Sequence, residues 1–147
     1  MASVWGAGGA GWIARDRVDN RYQGGQEDGE MSEETIREFQ EERDRLNEVV
    51  MRYAGLSMKR FYGLDGQVYR DGALPASIKE LLGLVASFVL RCDDCVKYHL
   101  VRCHEEGVTS EELEEALVVG LVVGGSITIP HLRRAFDAWS ELEASGK

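Results

Sequence analysis

The run Cys92-Asp93-Asp94-Cys95-Val96-Lys97-Tyr98-His99 holds two thiols three positions apart and an imidazole four further on. On a helix, neighbours at i+3 and i+4 share a face, so the three groups form one stripe. Two thiols within disulfide reach and a base one turn away are the parts of a dithiol redox centre. The thiolate is the reactive species, and free cysteine has a pKa of ~8.5, so the chemistry needs a setting that favours the anion. Cys92 stands at or near a helix start, where unpaired backbone N–H groups provide that setting. His99 lies one turn beyond Cys95 and can accept its proton or pair with its thiolate. Arg91 and Lys97 add positive potential. Asp93 and Asp94 suit the helix dipole but oppose thiolate formation. Closing Cys92 onto Cys95 would give a two-electron switch.

Other readings use the same residues. Cys92, Cys95, His99 and Cys103 share the stripe, so a Cys3His zinc site comes into view. At 1.5 Å rise per residue Cys92 and Cys103 would be ~16 Å apart on a straight helix, too far to surround one ion. No metal is therefore expected, and no cofactor beyond a redox-active Cys92–Cys95 disulfide. A purely structural reading makes the cysteines small core residues and His99 a satisfied core histidine. Cys103 fits that reading best. His104 and His131 show no partner pattern and are read as surface or packing residues.

The composition narrows the class of protein. The chain has 147 residues and a formal net charge of -9, which disfavours nucleic acid as a partner. Three cysteines cannot all pair within one chain, and a CxxC pair suits redox chemistry in a reducing compartment. No apolar run approaches the ~20 residues of a membrane span. The start lacks the basic-then-apolar pattern of a secretory signal. A cytoplasmic protein with no membrane partner is expected.

The stripe must be held by helices. Residues 1–30 carry seven of the 17 glycines and no helical period, so a flexible arm is expected, with Trp5, Trp12, Ile13 and Tyr22 as candidate docking residues. Met31 is a candidate alternative start. From there to 147 a single helical domain is predicted. Ser32 offers an N-cap for a helix carrying Ile36, Phe39, Leu46, Val50 and Tyr53 and ending near Gly55. Residues 55–74, with Gly63, Gly66 and Gly72, read as a short helical turn plus a loop whose aromatics, Phe61, Tyr62 and Tyr69, enter the core or line a substrate entrance. A largely buried helix follows Pro75, and Glu80 within it is assigned to a wet face or to function. The CxxC helix runs to Glu106 and stops at Gly107. Thr109-x-x-Glu112 caps another nearly fully apolar helix, and a last one follows Pro130. The expected fold is all-α, a helical bundle with the CxxC at the start of a helix. Two such apolar helices in so short a chain call for an oligomer to complete the core.

Taken together, these residues resemble the AhpD-like (alkylhydroperoxidase D-like) group of the carboxymuconolactone decarboxylase superfamily. That group carries a glutamate, eleven intervening residues and then CxxCxxxH, matched here by Glu80, Cys92, Cys95 and His99. The continuation from Gly107 through Thr109 and Glu112 to Gly124-Gly125 is also similar, and the likeness spans about residues 40–142. It implies an all-helical homo-oligomer (dimer, trimer or hexamer). It implies a dithiol oxidoreductase that reduces hydroperoxides, or relays electrons between a lipoyl or thioredoxin-like donor and a protein disulfide. Glu80 and His99 would then form a proton relay for one cysteine. The peroxidase prototype has a relay histidine just before the second cysteine; Asp94 stands there in this chain, which removes a proton acceptor near pH 7. Nineteen positions separate Glu80 from His99, ~28 Å on one straight helix. The relay therefore requires a break near Arg91, unmarked by glycine or proline, or contact across subunits. The rival readings are a lyase like the superfamily's namesake and a non-enzymatic redox-sensing oligomeric module.

Overall fold

The computed structural model describes residues 35–146, and all regular structure among them is helical. The arm over 1–30, Met31 and the Ser32 cap lie outside the described residues. The first helix, α1 (Ile36–Tyr53), is capped by Thr35. The Thr35 hydroxyl accepts from the Glu38 N–H, and the Glu38 carboxylate accepts from the Thr35 N–H. This capping box satisfies two otherwise orphaned donors. Ile36 and Phe39 are buried, while Leu46 and Tyr53 at the far end are exposed.

Residues 56–68 depart from expectation. They form a continuous helix, α2 (Leu56–Val68), with Gly63 and Gly66 inside it and no buried residue. Glycine costs about 1 kcal/mol in a helix interior, which is why the sequence reads as a loop. The end of α2 is tied down from outside: Lys79 Nζ donates to the carbonyls of Val68 and Arg70 at 2.9 and 2.6 Å. Of the expected core aromatics Phe61 and Tyr62 are on the surface, Phe61 being 68% exposed, whereas Tyr69 is half-buried.

The core is built by α3 (Ala76–Val89), α4 (Asp93–Glu105), α5 (Ser110–Gly124) and α6 (Ile129–Ser145). α3 packs on α4 and α5, α4 also on α6, and α1 lies across α4 and α6. Leu84, Phe88, Leu100, Leu113, Leu117 and Trp139 fill the interior. α5 opens with the predicted capping box between Thr109 and Glu112. Gly120 lets it approach α3, since a Cβ there would stand 2.7 Å from the Phe88 ring. Within one chain α3 and α5 are only partly covered, in keeping with helices too apolar for so short a chain to bury. Each buries one stripe, and Ile78, Leu82, Val119, Val122 and Val123 face outward, Val122 at 79% exposure.

The reversal between α3 and α4 creates the site. Arg91 takes the left-handed conformation, φ 59°. Its N–H donates to Phe88 O and the Cys92 N–H to Ser87 O, both at 3.0 Å. This is the Schellman pattern that ends many helices, usually with glycine at the left-handed position. The same pattern ends α4 at Gly107, φ 75°, with Val108 N–H donating to Cys103 O at 3.0 Å.

Candidate active site

The reversal folds α4 back along α3 and brings Glu80 and His99 together. His99 Nδ1 lies 2.8 Å from Glu80 Oε2. Glu80 is 1% exposed, so the wet-face reading of this residue is wrong and the carboxylate is a core group. When Glu80 is ionised its carboxylate accepts from Nδ1–H, and in the neutral ring this leaves the lone pair on the second nitrogen, Nε2. Arg102 Nε approaches Glu80 Oε1 at 3.5 Å and also pairs with Glu105 and Glu106. Every carboxylate oxygen is thereby engaged, as a buried charge requires.

The imidazole is fixed on three sides. Gly83, one turn beyond Glu80, lies beneath it: a Cβ at that position would be 2.5 Å from His99 Cε1. Tyr69 and Tyr98 flank it at ring-centroid distances of 5.3 and 5.1 Å. Burial, and after it neighbouring carboxylates, hold both tyrosines above the usual phenol range. They stay protonated and can donate a hydrogen bond but not act as bases. The Arg43 guanidinium sits 4.1 Å over the Tyr98 ring, and Lys97 Nζ 5.3 Å over Phe39.

Cys92 is the N-cap of α4, and its sulfur is bonded to that of Cys95, with the two Cα atoms 5.3 Å apart. Cys92 is half-buried and Cys95 exposed. Cys95 and His99 line one cavity of about 490 Å³, with Phe39, Leu46, Tyr69 and Tyr98 on its apolar wall. A second cavity of about 440 Å³ reaches Glu80, lined also by Tyr69, Tyr98, Arg102 and Glu106. The Glu80–His99 pair therefore stands between two openings. A sulfur, an imidazole and a buried carboxylate in this order can move a proton from a thiol into the interior.

Cys103 is fully buried, and burial, with the Glu80 charge second, pushes its thiol up to about 12. It stays protonated and behaves as core. Among the described residues no group of three or more His, Cys, Asp or Glu side chains is arranged to hold a metal ion. His104 packs edge-on against Trp139 at 5.6 Å, as a packing residue would. His131 is different. Its Nδ1 lies 2.6 Å from Asp93 Oδ1, and Arg134 Nη2 lies 3.0 Å from Asp93 Oδ2.

Sequence reasoning missed Gly83, Arg102, Tyr98 and the His131–Asp93 contact, while Tyr69 was among the aromatics read as core or entrance residues. A glycine three residues after a glutamate in an apolar helix was a usable signal for close approach. Nothing local links His131 to Asp93, which are 38 positions apart.

Comparison with known proteins bears on this geometry. The model of the carboxymuconolactone decarboxylase family matches residues 55–138. An uncharacterized protein of Cupriavidus necator is 29% identical over 106 residues, covering 68% of this chain and 94% of its own. An uncharacterized protein from the cox locus of Paracoccus denitrificans is 27% identical over 85 residues, covering 58% and 77%. A crystal structure from Thermotoga maritima superimposes with a TM-score of 0.73 at 56% identity, over 75% of this chain and 96% of that one. A second from that organism, of a carboxymuconolactone decarboxylase family protein with a suggested part in the antioxidative response, has a TM-score of 0.69 at 59% identity, over 72% and 90%. A Legionella pneumophila member of the family shares the fold at a TM-score of 0.68 and 22% identity, over 73% and 96%. The chain belongs to the carboxymuconolactone decarboxylase family.

Proposed function

We propose that this member of the carboxymuconolactone decarboxylase family is an AhpD-like dithiol oxidoreductase that reduces hydroperoxides or a protein disulfide through Cys92 and Cys95. The observation that carries the reading is the buried Glu80–His99 pair, 2.8 Å apart, opening on the cavity that also holds Cys95. A namesake-type lyase has no evident use for a closed disulfide at that wall. Cys95 is the attacking cysteine because it is exposed in that cavity. His99 Nε2 takes its proton, and Glu80 holds the imidazolium that results. The Cys95 thiolate attacks the O–O bond of a hydroperoxide, forming Cys95–SOH and an alkoxide that is protonated to the alcohol. The Cys92 thiol then displaces water from the sulfenic acid and closes the disulfide. A lipoyl or thioredoxin-like dithiol returns two electrons and two protons to reopen it. Asp94 is a weak proton acceptor near pH 7, so the relay works through His99 and Glu80 alone. No cofactor or metal enters the cycle.

The outward apolar residues of α2, α3 and α5 support assembly into a homo-oligomer, and the reducible dithiol supports a cytoplasmic setting. Among the described residues no helix is long and apolar enough to cross a membrane. The test is a count of accessible thiols with intact mass, on reduced protein, before and after one equivalent of cumene hydroperoxide. Two thiols should disappear with a mass lower by two hydrogens, mapped to Cys92–Cys95, and turnover should vanish in Cys92→Ser and Cys95→Ser. Thiols that survive both hydroperoxide and an oxidised thioredoxin-like protein overturn the proposal. Decarboxylation retained in both serine variants would establish the lyase instead.

A further inference from the structure

The dithiol carries a second charged group that the relay does not use. Asp93 occupies the first turn of α4, directly after Cys92 and two residues before Cys95 in the chain. It does not stand alone. From α6, His131 Nδ1 reaches Asp93 Oδ1 at 2.6 Å and Arg134 Nη2 reaches Oδ2 at 3.0 Å. Arg134 Nη2 also lies 2.9 Å from His131 Nδ1, so the three side chains form one hydrogen-bonded cluster in which Nδ1 donates to Asp93 or accepts from Arg134 according to its tautomer. Pro130 sits in the first turn of α6 and fixes the approach of that helix end. The other charged groups around the Cys95 sulfur come from elsewhere. Asp94 and Lys97 lie on α4 itself, Glu42 and Arg43 on α1, and Asp65 on α2.

We propose that Asp93, His131 and Arg134 form a charge clamp that sets the acidity and reduction potential of the Cys92–Cys95 pair. With the clamp closed, the Asp93 charge is met from α6 and the helix start remains favourable to a thiolate. Remove the guanidinium and the carboxylate loses its fixed cationic partner. Remove the carboxylate charge and the Arg134 guanidinium acts on the sulfurs instead. These are positioning and tuning residues, since none of them touches the reacting atoms. The inference rests on the dithiol reading above, but not on which substrate is reduced.

Opposite charge changes must give opposite shifts, whereas a purely structural contact would loosen the site the same way in either variant. The experiment compares wild type, Asp93→Asn, Arg134→Gln and the double variant as folded full-length proteins. Two quantities are read at pH 7: the rate of alkylation of the reduced protein by iodoacetamide, and the equilibrium between disulfide and dithiol in glutathione buffers. In that equilibrium two glutathione molecules supply two electrons and two protons, leaving glutathione disulfide and the protein dithiol. Where the thiol pKa lies above 7 the rate carries the effect, and where it lies below 7 the equilibrium does. Asp93→Asn should speed alkylation or shift the equilibrium toward the dithiol by roughly threefold. Arg134→Gln should do the reverse by a similar factor, and the double variant should return near wild type. Threefold in the equilibrium is about 14 mV for a two-electron couple. Shifts of the same sign in both single variants, or no shift in either quantity, overturn the clamp. A protein whose disulfide does not exchange with glutathione or with a small dithiol such as dithiothreitol overturns the dithiol reading itself.

Discussion

Among the described residues two clusters have the same three chemical parts, a carboxylate, an imidazole and a guanidinium. One is Glu80, His99 and Arg102; the other is Asp93, His131 and Arg134. They differ in solvent. The Glu80 side chain is 1% exposed and that of Asp93 is 38% exposed. In the interior a carboxylate without partners costs several kcal/mol, so the first cluster is obligatory to the fold as well as to the proposed relay. At the rim water can replace any partner, so the second cluster contributes little stability and acts on its surroundings through its charge. Burial, more than composition, separates a proton relay from an electrostatic trim.

Breaking each cluster should display that contrast. Glu80→Ala leaves His99 and Arg102 facing a void and should cost about 3–5 kcal/mol in chemical unfolding. A loss below 1 kcal/mol would put the two clusters on the same footing. Next comes Gly83→Ala, which leaves every titratable group in place but pushes a methyl into the His99 ring. We expect a loss of about 1–3 kcal/mol with a parallel fall in turnover, read by unfolding and peroxide assay together. Unimpaired turnover would show that the ring position is not critical.

Asp93→Ala should cost less than about 1 kcal/mol at pH 7. Burial raises the Asp93 carboxyl, but the hydrogen bonds from His131 and Arg134 outweigh it and hold the group below the ordinary aspartate value. A lowered native value means the contribution is present above the unfolded pKa of ~3.9 and disappears as pH falls through the native one. The stability gap between wild type and variant should therefore close below about pH 4. A gap that persists at pH 2 would assign the effect to packing. The smallest effect is expected between the clusters, at Arg91. Glycine there relieves the left-handed strain but gains unfolded-state entropy, so Arg91→Gly should stabilise by less than about 1 kcal/mol.

The sequence showed some of this architecture and concealed the rest for physical reasons. The CxxCxxxH stripe, the Thr109 cap and the stop at Gly107 are local patterns, and local patterns survive in one dimension. The two Schellman turns make the point most sharply. Gly107 announces its turn because glycine favours positive φ; Arg91 makes the same turn without that signal, held by the burial of α3 against α4. The relay required a break near Arg91 or a contact across subunits, and the left-handed turn at Arg91 supplies the break within one chain. At α3 and α5 the excess of apolar residues over what one chain can cover was legible, but hydropathy does not say which stripe faces in. Asp93 and His131 lie 38 positions apart, and only tertiary packing joins them.

The two cavities on either side of the relay have a consequence for traffic. Tyr69 and Tyr98 belong to both walls, with Cys95 and His99 on one side and Glu80 and Arg102 on the other. A molecule seated against Cys95 occupies the front door and excludes water from it. The back door, past Arg102, is still open to solvent. In the proposed cycle the proton taken from the thiol would be handed on to bulk water while the front remains occupied, so resetting the relay need not wait for the visitor to leave.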